Sequence, residues 1–397
     1  MKQRNSRIRL APALGLLALC IAAQNVRAQP NTFAQTNLVS DIPGMAAFTD
    51  PNLVNPWGIA ESAGSPFWIA DNGSGVTTLY NTVGAPQSLV VTLPTPGGGS
   101  SALTGAVFNG TASTGRFNKD LFIFASENGA IDGWRGALGT TGETLLDHSA
   151  ASSVFKGLAI GTVNSSNYLY ATDFHNNAIT VVPDGAAPTL SGTFTDLTLP
   201  AGYAPFGIRN ISGQLYVTYA QQDLAKHDDV AGPGNGFVDI FDLNGNFVKR
   251  LISNGPLDSP WGLTLAPTGF GPFGGDLLVG NFGDGTINAF DPSSGSYLGT
   301  VDAVGGSPLI DEGLWGLNFG NGGNGGNADT LYFTAGIPGG DAVEDHGLFG
   351  AISHVPDTGA TILLVAAAMI GMVAFRRHLL KTGLVQVCAM DSSKWIR

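Results

Sequence analysis

The sequence predicts an all-β chain, a six-bladed β-propeller built from four-stranded antiparallel blades. Three observations predict it. The first is a phrase that returns along the chain. Asn55-Pro56-Trp57-Gly58-Ile59 followed by Phe67–Gly73 is repeated as Ser259-Pro260-Trp261-Gly262-Leu263 with Leu277–Gly283, and as Leu314-Trp315-Gly316-Leu317 with Leu331–Gly336. Weaker copies are centred on Gly105, Gly157 and Gly207, so the repeat is roughly 50 residues long, a period typical of propellers and other repeat arrays. The second is the turn chemistry. Asn72-Gly73, Asn128-Gly129, Asp184-Gly185, Asn244-Gly245 and Asp284-Gly285 fall between short apolar runs, where tight hairpins need positive φ. The third is composition. The chain holds 57 glycines and only 12% charged residues, with Asp far outnumbering Glu, which is turn-rich sheet composition rather than helical.

Taken in order, residues 1–28 read as a secretory signal peptide. Lys2, Arg4, Arg7 and Arg9 precede the apolar stretch Leu10–Ala23, and Val26-Arg27-Ala28 offers small residues for cleavage. Residues 29–354 form the propeller. Within it, Thr36–Phe48 is expected to pair with the last blade and so close the ring, removing an exposed sheet edge. Each repeat then supplies four strands. In the first they fall near Gly58–Glu61, Phe67–Asp71, Val76–Asn81 and Gln87–Leu93; in the fourth, near Phe206–Asn210, Gln214–Tyr219, Gly236–Asp242 and Asn246–Leu251. The repeated glycine belongs on each innermost strand, where a side chain would collide with the next blade. The tryptophans read as packing between blades.

Two insertions, Ala220–Asn235 and Gly336–His346, follow the second strand of their blades. Both are expected to overhang one mouth of the axial channel, a place where repeat arrays often carry function. The Gly/Asn-rich stretch Asn318–Asp329 reads as a hairpin loop. Residues 355–381 combine Val355-Pro356-Asp357-Thr358-Gly359, an uncharged run from Ala360 to Phe375 expected to form a transmembrane helix, and a basic cluster with Arg376 and Arg377. A tail, 382–397, follows.

Charge limits the partners. The net charge is −12, and between Gln29 and Phe375 there are 29 acidic against 8 basic residues. Such a body repels phosphate backbones, so nucleic acid is excluded as a partner. Cys20 and Cys388 both lie outside the propeller, which therefore has no disulfide framework. No nucleophile elbow, phosphate loop or zinc-ligand spacing occurs.

The candidate site is the polar mouth. Residues just after each second strand would ring it: Asp71, Asn72, Glu127, Asn128, Asp173, His175, Asp223, Asn281 and Asp284. The insertions add His227, Asp228, Asp229, Asp345 and His346. Converging carboxylates and amides could hold Ca²⁺ or another divalent cation; the same residues also cap turns for purely local reasons. Two functions stay open. One is a binding or scaffold module for a polymer or protein. The other is a metal-assisted hydrolase or lyase acting at the mouth.

The segment from Val355 to Arg377 resembles the PEP-CTERM type of sorting signal, in the variant with a Val-Pro-Asp-Ser-Gly motif; Thr358 stands where that motif has Ser. The resemblance implies an exosortase as processing partner, export, and delivery to the cell envelope or extracellular matrix. The body from Thr36 to Ser353 resembles an uncharacterised family of bacterial secreted propellers through three phrases: Asp50–Ile59, His227–Gly236 and His346–Gly350. More distantly it is similar to NHL repeats and to propellers of the gluconolactonase and streptogramin-lyase kind.

Overall fold

Each repeated phrase begins an innermost strand, and six such strands stand around one axis. A computed structural model describes residues 32–340 and 343–356, and residues 31–355 form one unit. Residues 1–28, expected to be a signal peptide, the apolar run 360–375 and the motif and basic-cluster residues Asp357, Thr358, Gly359, Arg376 and Arg377 lie outside the described residues. Among the described residues no helix is long and apolar enough to cross a membrane.

The innermost strands are Pro56–Ala60, Leu103–Phe108, Phe155–Val163, Tyr203–Ile211, Pro260–Leu265 and Leu314–Phe319. Each leads an antiparallel sheet that runs outward. The ring closes as expected, though the closing strand is Phe33–Ser40 and starts before Thr36. It pairs antiparallel with Leu348–His354 of the sixth sheet. Ser40 Oγ also donates to the Gly347 carbonyl at 2.7 Å.

The third blade departs from the four-strand expectation. It has three strands, Phe155–Val163, Ser166–Asp173 and Ala178–Pro183. The following chain holds Gly185, Pro188 and Gly192, poor strand formers. It leaves its own sheet for the next blade's hairpin. There the Gly192 and Phe194 amides donate to Asn244 and Gly245 carbonyls at 2.8 and 2.9 Å. Phe194 then packs on Phe241 with ring centroids 5.9 Å apart.

The repeated glycines show why the phrase is fixed. A Cβ on Gly58 would lie 2.5 Å from the Thr104 carbonyl oxygen; on Gly207, 2.1 Å from that of Trp261; on Gly262, 2.6 Å from that of Trp315; and on Gly316, 2.5 Å from that of Trp57. Gly105 and Gly157 abut the third and fourth blades in the same way. Every innermost strand therefore touches the next one's backbone, and the last touches the first. Trp68 packs between blades as anticipated, its ring 4.3 Å from Phe122 and 4.7 Å from Trp134.

Several carboxyls are buried within this packing. Asp132 is buried, and that burial, opposed by Thr144, raises its pKa to about 7. Burial also lifts Asp239 and Asp311 to about 7. Unfolded, such groups ionise near pH 4. The folded protein therefore binds more protons between about pH 4 and 7, and the stability present at low pH is lost as pH rises through 7. The melting temperature is expected to be higher at pH 5.5 than at pH 8. Asp132→Asn should raise stability at pH 8 by about 2–4 kcal/mol and by about 1 kcal/mol at pH 5. A melting temperature that climbs from pH 5.5 to 8 in the unmodified protein would contradict this account.

Candidate functional site

The residue before each repeated glycine points toward one end of the axis. In five copies it is Trp57, Thr104, Phe206, Trp261 and Trp315. The aromatic members meet there and plug the channel. The Trp57 and Trp315 rings stack with centroids 3.4 Å apart, and Trp261 stands edge-on to both at 5.9 and 5.8 Å. Phe206 abuts Trp315 at 5.8 Å, and Phe282 stacks on it at 4.1 Å.

In the remaining copy, the third along the chain, the residue is Lys156. Its side chain is 3% exposed. The ammonium lies 5.3 Å from the Trp57 ring centre and 5.9 Å from that of Phe174, distances suited to cation–π attraction. It is ion-paired with Glu127 Oε1 and stands 3.5 Å from Asp228 Oδ1. Burial works against this charge, but Glu127, Asp228 and Glu344 together outweigh it, so the ammonium is held above the usual lysine range. Trp261 Nε1 donates to the Lys156 carbonyl at 2.9 Å, fixing the strand under the plug.

Glu127 and its neighbours extend the network. Asn72 Nδ2 donates to Glu127 Oε2 at 2.9 Å. Asn55 Nδ2 donates to Glu344 Oε1 at 2.9 Å, and Asn55 Oδ1 accepts from Trp315 Nε1 at 3.1 Å. Asn55 can serve both because its φ of 45° turns it out of the strand line, a conformation asparagine tolerates better than most residues. Burial, opposed by the Asn55 bond, pushes Glu344 up to about 7.

The first insertion forms the outer wall. Asp223 Oδ1 accepts the His227 and Asp228 amides at 2.9 and 3.3 Å, folding the loop back on itself. His227 Nδ1 then lies 2.7 Å from Asp228 Oδ1, with His227 and Asp228 48% and 70% exposed. Asp229 is more deeply set, and burial raises its pKa. One donor atom each of Glu127, His227 and Asp228 lie within 4.8 Å of one another, a set able to hold a divalent cation. Lys156 engages the same carboxylates, so a metal there would have to displace the ammonium from them.

Of the residues anticipated at the mouth, the structure brings together Asn72, Glu127, His227 and Asp228, with Asp223 and Asp229 shaping the loop. Others serve elsewhere. Asp71 is buried against Thr78. Asp173 caps the Val154 and Asn176 amides. Asn128 Oδ1 accepts from the Ala102 amide at 2.7 Å. Asn281 and Asp284 bond to each other and to Thr286 within one turn. His346 Nδ1 lies 2.6 Å from Asp41 Oδ2, tying the last blade to the turn after the closing strand. His175 and Asp345 take no part in the Lys156 network. Lys156, Asn55 and Glu344 join the network without being among the residues anticipated at the mouth. The signal for Lys156 was present: it is the only charged residue at a position otherwise filled by Trp, Phe or Thr.

No family model matches the chain. It is 36% identical over 295 residues to the uncharacterised protein R648 of Acanthamoeba polyphaga mimivirus, covering 70% of this chain and 72% of that protein. To the uncharacterised protein L690 of the same virus it is 32% identical over 304 residues, covering 72% and 78%. Among solved structures it is similar to a glucose dehydrogenase, with a TM-score of 0.52 at 13% identity over 81% of this chain and 100% of that one. A virginiamycin B lyase from Staphylococcus aureus aligns with a TM-score of 0.42 at 15% identity, over 82% of this chain and 99% of that one. At 13% identity the likeness to the glucose dehydrogenase concerns the β-propeller fold alone.

Proposed function

The chain belongs to the protein family that includes R648 and L690 of Acanthamoeba polyphaga mimivirus, and from that premise we propose that it is an exported binding module, held at the cell envelope, whose mouth engages an extracellular polymer or protein. Membership brings no activity with it, so the reading rests on the site. One observation carries it: Lys156 is buried at a position that is aromatic in four of the six copies. Burying an ion pair seldom gains stability over a well-packed apolar side chain. A fifth aromatic at this position would extend the plug. The lysine instead anchors Glu127, Asp228 and the exposed loop above them, an arrangement suited to recognition rather than to packing.

Support for the address comes from the sequence. The leader 1–28 has the order of a signal peptide, and Val355–Gly359, the run 360–375 and Arg376-Arg377 have the order of a sorting signal. On this reading the partners are the membrane, through the C-terminal run, an exosortase that processes it, and a polysaccharide or protein outside the cell.

A second reading, a metal-assisted hydrolase or lyase, is favoured by the Glu127, His227 and Asp228 donor set. Calorimetry of the full chain with Ca²⁺, Mg²⁺ and Zn²⁺ separates the two. Heat that disappears in His227→Ala supports the second; silence at millimolar metal removes it in its metal form. For the first, cell fractionation should recover the chain in the envelope or the medium, and a cytosolic chain with its leader intact would end the export reading. Immobilised envelope polysaccharide or protein should retain the chain, with Asp228→Asn and His227→Ala each weakening retention about tenfold. Equal retention by folded variants would remove the mouth as the binding surface.

A further inference from the structure

Beyond the aromatic plug, the innermost strands enclose a second space. From the ring of glycines toward the far ends of these strands runs a cavity of about 670 Å³, a size suited to small ligands. Its walls expose polar and apolar surface in about equal measure, the apolar part coming from side chains such as Val107, Ile160, Leu265 and Phe319. One cation stands in it. Arg209, two residues past Gly207, crosses from the fourth blade: Nη1 donates to the Leu263 and Leu317 carbonyls at 3.2 and 2.8 Å, and Nη2 to Asn318 Oδ1 at 2.5 Å.

All three acceptors are neutral. Arg209 makes no ion pair among the described residues. The carboxyl that acts on its charge is Glu61, also on the cavity wall. Glu61 Oε2 is buried and has no hydrogen-bond partner among the described residues. Burial raises Glu61 to about 8, so near neutral pH it is mainly protonated and leaves the guanidinium uncompensated. A guanidinium facing a low-dielectric cavity, beside a carboxyl able to donate a proton in a hydrogen bond, complements a carboxylate. The apolar side chains among the wall residues complement a short hydrocarbon body.

We propose that the axial cavity is a binding site for a small organic acid, its carboxylate on Arg209 and its apolar part along the walls of the inner strands. This site is separate from the mouth and does not depend on the function assigned there.

Calorimetry of the full chain with hexanoate, hexanol and inorganic phosphate tests the proposal. Hexanoate is expected to bind in the ~0.1–1 mM range. Hexanol should bind at least about tenfold more weakly, since it leaves the guanidinium unpaired, and phosphate should give no heat. Arg209→Gln should abolish hexanoate binding. Because Arg209 also ties three blades together, Ile160→Trp provides a second handle: it fills the cavity from the wall and removes none of these hydrogen bonds. It too should abolish binding, whereas His227→Ala at the mouth should not change it. No heat from hexanoate in the unmodified protein, undiminished binding in either folded variant, or equal binding of hexanol or phosphate would each overturn the proposal.

Discussion

Lys156→Met is expected to destabilise the propeller by about 3–5 kcal/mol near pH 8, the cost of leaving buried charge without its partner. Glu127 would lose its ion pair, and Glu344 the cation that opposes its burial. Methionine matches the lysine stem in length and apolar character, so the loss reports the charge more than the packing. Adding Glu127→Gln removes one stranded carboxylate and should recover part of the loss. The double variant would then be less destabilised than the sum of the two single changes. Acidification should act in the same direction: with Glu344 lifted to about 7, it becomes neutral toward pH 5 and the penalty of Lys156→Met shrinks. Urea unfolding of the four chains at pH 8 and pH 5.5 measures all of this. A loss under about 1 kcal/mol, within the range of an exposed pair, or strict additivity, would show that Lys156 does not hold the mouth together.

Gly207→Ala should cost about 3 kcal/mol or more, at the upper end of what overpacking does, because the obstacle is backbone. The new Cβ would lie 2.1 Å from the Trp261 carbonyl oxygen and 2.9 Å from Thr218 Oγ1. That hydroxyl already accepts the Gly207 amide at 2.7 Å, so it has little room to retreat. The contact can be relieved only by moving one blade away from the next, which loosens the ring. Gly136 is the matched control: its φ is ordinary and nothing lies within 4 Å of its added Cβ. Gly136→Ala should change stability by no more than about 0.5 kcal/mol. Similar midpoints in urea for the two variants would refute the tight ring seam.

The number of blades was legible because the ring imposes a chemical demand at one position per repeat, and only glycine meets it. The closing strand was legible because an open ring would leave a sheet edge bare. The third blade was misread because Phe194 finds its partner, Phe241, in another blade, and no local pattern in 184–202 records that. The site was legible in part. Asn72, Glu127, His227 and Asp228 stood out as polar residues at strand ends and in the longest insertion. Asp173, Asn281 and Asp284 have the same sequence character, and only their neighbours reveal that they cap turns. Glu344 and Asn55 gain their meaning from each other across the seam between the first and last blades, a contact joining residues 289 positions apart. Lys156 could have been found by aligning the six copies and asking which one places a charge before the repeated glycine.

The pairing of Phe33–Ser40 with Leu348–His354 also constrains the order of assembly. Ser40 and Gly347, bonded in the finished protein, are 307 residues apart. Closing so long a span adds only modestly to the entropic cost of the loop, but it fixes the sequence of events. While a ribosome is still working, the early strand has no mate, and the five sheets before the last can form without it. The final sheet is thus a latch that engages only after almost the whole propeller has been made. Chains cut short before Leu348 would be left with two sticky edges and a route to aggregation.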